Sequence, residues 1–332
     1  MKSISLRVAL LLACIATISL AAAPARAAEI FVGSTPTAIG EYSDSGAAIN
    51  SSLITGLSDA IFGGHFLAAS ANDLFVVNSP SFQDIGEYTT SGATVNASFV
   101  DFYAGFNPTL EGSATSIAVA GDVLLVAGDI GTDLFSLPFD GIAEINMSGT
   151  VIDTISLPSN PLDIVVSGGD IFVDFGPTIG EWTTSGAVVN ASLITGLGVT
   201  VASIAVSGSD IFITNTPYGL QPPTGDYISE YTTSGALVNA SLISGLYSPN
   251  EVAVYGGNLF VSSMMPELPY GDVIGEYTLS GDAVNASLIT FPSIDNTSFE
   301  GNPDAFVIVP EPATWLLALM GLASLLLVGR RR

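Results

Sequence analysis

The chain has 332 residues, with 31 Asp plus Glu, 6 Lys plus Arg, one His and a formal net charge of −25. The six cations are Lys2, Arg7, Arg26, Arg330, Arg331 and Arg332, so residues 28–329 carry no Lys or Arg at all. This excludes nucleic-acid binding by counterion release and any catalytic Lys or Arg, while a 48% hydrophobic composition still permits a substantial core.

Residues 1–27 read as a secretory signal. Lys2 and Arg7 precede the apolar run 8–23, and Ala25-Arg26-Ala27 is a small-x-small site for signal peptidase that would leave Ala28 as the new N-terminus. A second reading takes Leu11-Leu12-Ala13-Cys14 as a lipoprotein box with Cys14 lipidated. Cys14 is the only cysteine, so the exported part has no disulfide and must be held by burial.

Six copies of one block follow: Ile39-Gly40-Glu41-Tyr42, Ile85-Gly86-Glu87-Tyr88, Ile142-Ala143-Glu144-Ile145, Ile179-Gly180-Glu181-Trp182, Ile228-Ser229-Glu230-Tyr231 and Ile274-Gly275-Glu276-Tyr277. Their first residues are 46, 57, 37, 49 and 46 positions apart. Each copy runs into a turn and a second apolar run, and most are preceded by a pair of short β-branched runs such as 203–214 and 251–261. Short runs punctuated by Ser-Gly, Gly-Asp and Gly-Asn are strands joined by tight turns. Four strands per 40–50 residues is the period of a propeller blade. The expected fold is an all-β, six-bladed propeller of four-stranded antiparallel blades, with helices only in the terminal signals. The repeats fall near 29–57, 64–102, 115–157, 160–197, 200–246 and 247–291. The first lacks an inner strand, and 302–309 supplies it, closing the ring. In their Ile-Ala-Val…Phe-Val rhythm the repeats resemble NHL-type and lyase-like six-bladed propellers.

Candidate chemistry is sparse. His65 stands alone in Gly63-Gly64-His65-Phe66 without a G-x-S-x-G motif, and no CxxC or HExxH is present for zinc. The recurring Glu41, Glu87, Glu144, Glu181, Glu230 and Glu276 would hold divalent ions if they faced the channel. They would be a solvated set if only the neighbouring aromatic ring packs. An insertion in the third repeat, 129–141, offers Asp129, Asp133 and Asp140 amid glycines, loosely like a calcium loop, because oxygen ligands alone suffice for Ca2+. Asp73, Asp122, Asp170, Asp210 and Asn258 stand where a hairpin turn favours them. Asn-x-Ser/Thr occurs at Asn50, Asn96, Asn146, Asn190, Asn239, Asn285 and Asn296, as glycan acceptors or as a by-product of the repeat.

Val309-Pro310-Glu311-Pro312 is followed by the apolar run 313–328 and Arg330-Arg331-Arg332. As a helix, 315–328 would span about 21 Å against a hydrocarbon core of about 30 Å, with flanking residues snorkelling and the arginines on the cytoplasmic side. This tail, 310–332, closely resembles the PEP-CTERM sorting signal. The resemblance implies a Gram-negative-type envelope, recognition by an exosortase-type enzyme and removal of the helix near Pro310–Pro312. It also implies a setting rich in exopolysaccharide. The expectation is an exported surface or matrix protein, 28–309, that binds exopolysaccharide or a surface protein without catalysis. The alternative is a calcium-dependent lyase or lactonase-like enzyme.

Overall fold

In the computed structural model Glu29–Val309 form one compact unit. The structure describes residues 28–35, 38–57, 66–78, 84–101, 113–130, 139–197, 200–216, 225–265, 271–292 and 305–310. His65, Cys14, Asp133, Asn296, Ala25, Ala27 and the sorting tail beyond Pro310 lie outside them.

The described residues form six four-stranded sheets. Blade 1 comprises β1 (Ala28–Thr35), β2 (Ala38–Ser43) and β3 (Ala48–Thr55), and blade 2 comprises β4 (Leu67–Ala69), β5 (Asp73–Val77), β6 (Asp84–Thr89) and β7 (Thr94–Asp101). Blade 3 is β8 (Ser113–Ala120), β9 (Val123–Ile130), β10 (Phe139–Asn146) and β11 (Val151–Ser156). Blade 4 is β12 (Asp163–Ser167), β13 (Asp170–Asp174), β14 (Thr178–Thr183) and β15 (Val188–Thr195). Blade 5 is β16 (Thr200–Ser207), β17 (Asp210–Thr216), β18 (Asp226–Thr232) and β19 (Leu237–Leu246). Blade 6 is β20 (Val252–Tyr255), β21 (Asn258–Met265), β22 (Gly271–Thr278) and β23 (Ala283–Pro292). The last strand, β24 (Ala305–Pro310), pairs with β1, so the order in blade 1 is β24-β1-β2-β3. The fold is thus an all-β six-bladed propeller whose first blade is completed by the end of the chain.

The Ile-Ala-Val rhythm has a packing cause. Along an innermost strand, alternate side chains face the preceding and the following blade. Ile117 and Val119 of β8 pack with Phe66, Phe75 and Ile85 of blade 2, whereas Ala118 and Ala120 pack with Ile164 and Ile171 of blade 4. In β8 the large residues face backwards and the small ones forwards, so large meets small across its joints.

The Ile-Gly-Glu-Tyr block is equally mechanical. Its Ile is fully buried in all six blades. Its Gly makes room for the aromatic ring two residues on: a Cβ at Gly86 would lie 2.7 Å from the Tyr88 ring, and one at Gly275 2.8 Å from Tyr277. Trp182 lies back over Gly180 in the same way. The turn after it is a three-residue hairpin whose glycine has φ between +79° and +86°, which a side chain would strain. That glycine also seats the turn on the outer strand of the preceding blade. A Cβ at Gly92 would lie 2.7 Å from the Leu53 carbonyl oxygen, and Gly149, Gly235 and Gly281 stand against those of Phe99, Leu193 and Leu242. Gly46 of blade 1 stands against Leu288 of blade 6, so this contact also runs around the closure.

Candidate functional site

The innermost strands enclose a cavity of about 330 Å³, lined largely by aliphatic side chains such as Ala68, Ala118, Val165, Ala205, Ala253 and Val307. Asp163, Ser203 and Glu251 line its end where these strands begin, and Ser116 holds the equivalent place in blade 3; all four are buried. They share one structural position, the residue just before the Ile or Val whose backbone N–H reaches back to the preceding blade or, for Ser116, packs against it. Each accepts the backbone N–H of the next blade. Ile164 N–H donates to Ser116 Oγ at 3.3 Å and Ile204 N–H to Asp163 Oδ2 at 3.0 Å. Val252 N–H donates to Ser203 Oγ at 3.3 Å and Phe306 N–H to Glu251 Oε2 at 3.0 Å. Ser116 Oγ in turn donates to Asp163 Oδ1 at 3.0 Å. Both channel-end carboxylates therefore serve as blade-to-blade acceptors. The sequence gives no repeated letter at this position, so only an alignment of strand starts, Ser116-Ile117 with Asp163-Ile164, Ser203-Ile204 and Glu251-Val252, could have found them.

The six recurring glutamates do not converge on this channel. Each lies on the third strand out, half-buried, across from a residue of the outermost strand. Burial raises the carboxyl pKa of Glu41, Glu87, Glu144, Glu181 and Glu230. A nearby aspartate adds to the rise: Asp73 for Glu87, Asp153 for Glu144, Asp170 for Glu181 and Asp210 for Glu230. In blade 6 the partner is Asn258, whose Nδ2 donates to Glu276 Oε1 at 2.6 Å.

In blade 3, Asp129 and Asp140 face each other across the β9–β10 ladder, which takes up both ends of the insertion. Burial, and secondarily Asp140, raises the pKa of Asp129. Among the described residues, no group of three or more His, Cys, Asp or Glu is placed to hold a metal. A group the sequence did not single out is Asp272 at the start of β22. It is 3% exposed, its Oδ1 has no hydrogen-bond partner, and burial pushes its pKa from 3.8 up to about 6.

The Asn-x-Ser sites have a backbone role. In five blades the outer strand carries a bulge at the asparagine, visible as a register shift beside the glutamate. The asparagine Oδ1 accepts the N–H two residues on, as from Ser52 to Asn50 at 3.1 Å and from Ser98 to Asn96 at 3.2 Å. Asn190, Asn239 and Asn285 do the same. In blade 3, Asn146 instead caps the hairpin turn, accepting N–H groups of Ser148 and Thr150 at 3.0 Å each.

Of the sorting residues, Val309 is 2% exposed inside β24 and Pro310 is that strand's exposed last residue. Ala28, at the expected signal cleavage point, is the buried first residue of β1.

Residues 309–332 match the PEP-CTERM protein-sorting motif. The match marks the chain as exported and processed by an exosortase-type system at the envelope or surface of a Gram-negative-type bacterium. No curated protein sequence matches the chain. Among solved structures, a protein of unknown function from Bacteroides caccae is similar at 14% identity and a TM-score of 0.55, over 85% of this chain and 98% of that one. A putative oxidoreductase (glucose dehydrogenase) from Thermus thermophilus is similar at 11% identity and a TM-score of 0.46, over 73% and 94%. The Neurospora crassa Pan2 WD40 domain is similar at 11% and 0.48, over 76% and 72%. The first is a likeness of fold, and the looser two carry no argument about activity.

Proposed function

We propose that this exported propeller is a non-catalytic surface or matrix protein that presents itself to exopolysaccharide or to another surface protein. The supporting observation is the use of its polar groups. The two carboxylates at the channel end accept backbone N–H groups, and the recurring glutamates stand apart, one per blade, away from the channel. An enzyme on this fold would bring its acids together at one channel mouth. The net charge of −25 keeps such a coat protein soluble and repels it from anionic surfaces.

The test is a thermal melt of residues 28–310 in calcium, magnesium and sodium at matched ionic strength, followed by exopolysaccharide binding. Equal melts with polysaccharide or surface-protein binding are expected. A calcium-specific rise accompanied by lactone or polysaccharide turnover would replace this reading with the metal-dependent enzyme.

A further inference from the structure

The two faces of the propeller differ in how the chain crosses them. One face carries the hairpin turns within the blades: first-to-second-strand turns such as Gly121-Asp122, Gly168-Gly169 and Gly256-Gly257, and the third-to-fourth-strand turns such as Ser185-Gly186. At the other face second strands end and third strands begin, and each outermost strand ends where the next blade starts.

Equivalent pairings place both chain ends on the hairpin face. Glu29 lies opposite Ser43 as Asp170 lies opposite Thr183 and Asn258 opposite Thr278, so Ala28 takes the place of Gly169 and Gly257. Phe306 N–H donates to Glu251 as Ile204 N–H donates to Asp163. Phe306 is therefore the counterpart of Val252 and Ile204, and Pro310 takes the place of Gly256 and Gly208. Pro310 and Ala28 thus stand where the other blades have a two-residue turn. The signal segment and the sorting segment leave from a single missing hairpin.

We infer that, while its sorting tail is embedded, the propeller stands on the membrane on its hairpin face and turns the opposite face and the polar end of the channel outward. The inference rests on the sorting reading above, because it needs residues 313–328 in the bilayer. Pro310 and Trp315 are five residue steps apart, a reach of at most about 18 Å. Inverting the propeller would require the tether to pass from the innermost strand past the outer edge and up its height. Three strand spacings cost about 14 Å and six residues of strand about 20 Å, nearly twice the available reach. The hairpin face also carries Asp44, Asp122 and Asp282, so the tail holds it there without help from anionic headgroups.

The experiment uses the full chain with Cys14→Ser in phosphatidylcholine vesicles whose lipids carry a quencher, with a fluorophore on one introduced cysteine at a time. Ser185→Cys and Ser234→Cys report the hairpin face; Ser159→Cys and Ser244→Cys report the other, and all four serines are exposed. The expected result is quenching several-fold greater at 185 and 234 than at 159 and 244. Inserting a flexible Gly-Ser spacer of about 20 residues between Glu311 and Pro312 should abolish the difference. Equal or reversed quenching without the spacer overturns the orientation alone. A chain that fails to float with the vesicles overturns the membrane-tail reading, and the orientation with it.

Discussion

Blade 2 is joined to both neighbours by apolar packing, whereas the other joints add a buried acceptor. From blade 3 round to blade 1, Ser116, Asp163, Ser203 and Glu251 each take a backbone N–H across the joint. At the same position before blades 2 and 3 stand Ala305 and Phe66, whose side chains offer no polar acceptor. Aromatic residues pack in these joints as in the others: Phe31 and Tyr88 in one, and Phe66, Phe75 and Phe99 in the other, with the Phe75 and Phe99 rings 5.2 Å apart. One geometric seam can therefore be closed by two chemistries. The polar one is directional and exposed to the penalty of an orphaned buried donor; the apolar one tolerates change in proportion to the volume removed.

Removing an acceptor from a polar joint should have the largest effect. Asp163→Ala would leave Ile204 N–H and Ser116 Oγ without their acceptor, at a cost of about 3 kcal/mol in stability by denaturant melt, with binding of any partner elsewhere unaffected. A loss below about 1 kcal/mol would mean that the joint does not depend on it.

Proton uptake separates the joints from the periphery. Asp272 titrates at about 6 when folded against 3.8 as its ordinary value, and the five raised glutamates, Asp129 and Asp226 move the same way. For each, the folded state binds the proton more tightly, so stability is present at low pH and falls as pH rises through the folded pKa. The melting temperature should be highest near pH 4 and decline towards pH 7, with Asp272 accounting for up to about 3 kcal/mol. Asp272→Asn should flatten that slope and raise stability at pH 7; an unchanged slope would remove Asp272 as its source.

The smallest effect would come from converting one joint into the other kind. Ala305→Ser places an oxygen where Ser203 has one and should gain about 0.5–1 kcal/mol by accepting the N–H of Leu67. A loss would show that the apolar joint is already filled.

Much of this architecture was legible in the sequence, because strands and turns are specified locally. The six Ile-x-Glu blocks, the Gly-bearing turns and the unmatched 302–309 run led to six blades and a closing strand. The joints were not legible, since Ser116, Asp163, Ser203 and Glu251 share a place but not a residue type, and what unites them is a donor 41 to 55 residues downstream in the next blade. The Asn-x-Ser repeats read as glycan acceptors or as a by-product of the repeat, because a sequence does not display the bulge that they form. Asp272 escaped for the opposite reason: neither charge nor spacing distinguishes a buried carboxylate from a solvated one until its surroundings are known.

The glycine turns that rest on the preceding blade impose an order on assembly. A chain threaded out of the cytoplasm from its N-terminus delivers each blade after the one its turn will rest on, so blades 2 to 6 can each settle against a predecessor already outside. Blade 1 is the exception twice over. Its turn at Gly46 must wait for Leu288, and its innermost strand arrives last of all, beside the sorting motif. The finished ring thus becomes possible only once the strand beside the sorting motif has been delivered, and a product truncated before β24 reaches the envelope without a complete first blade.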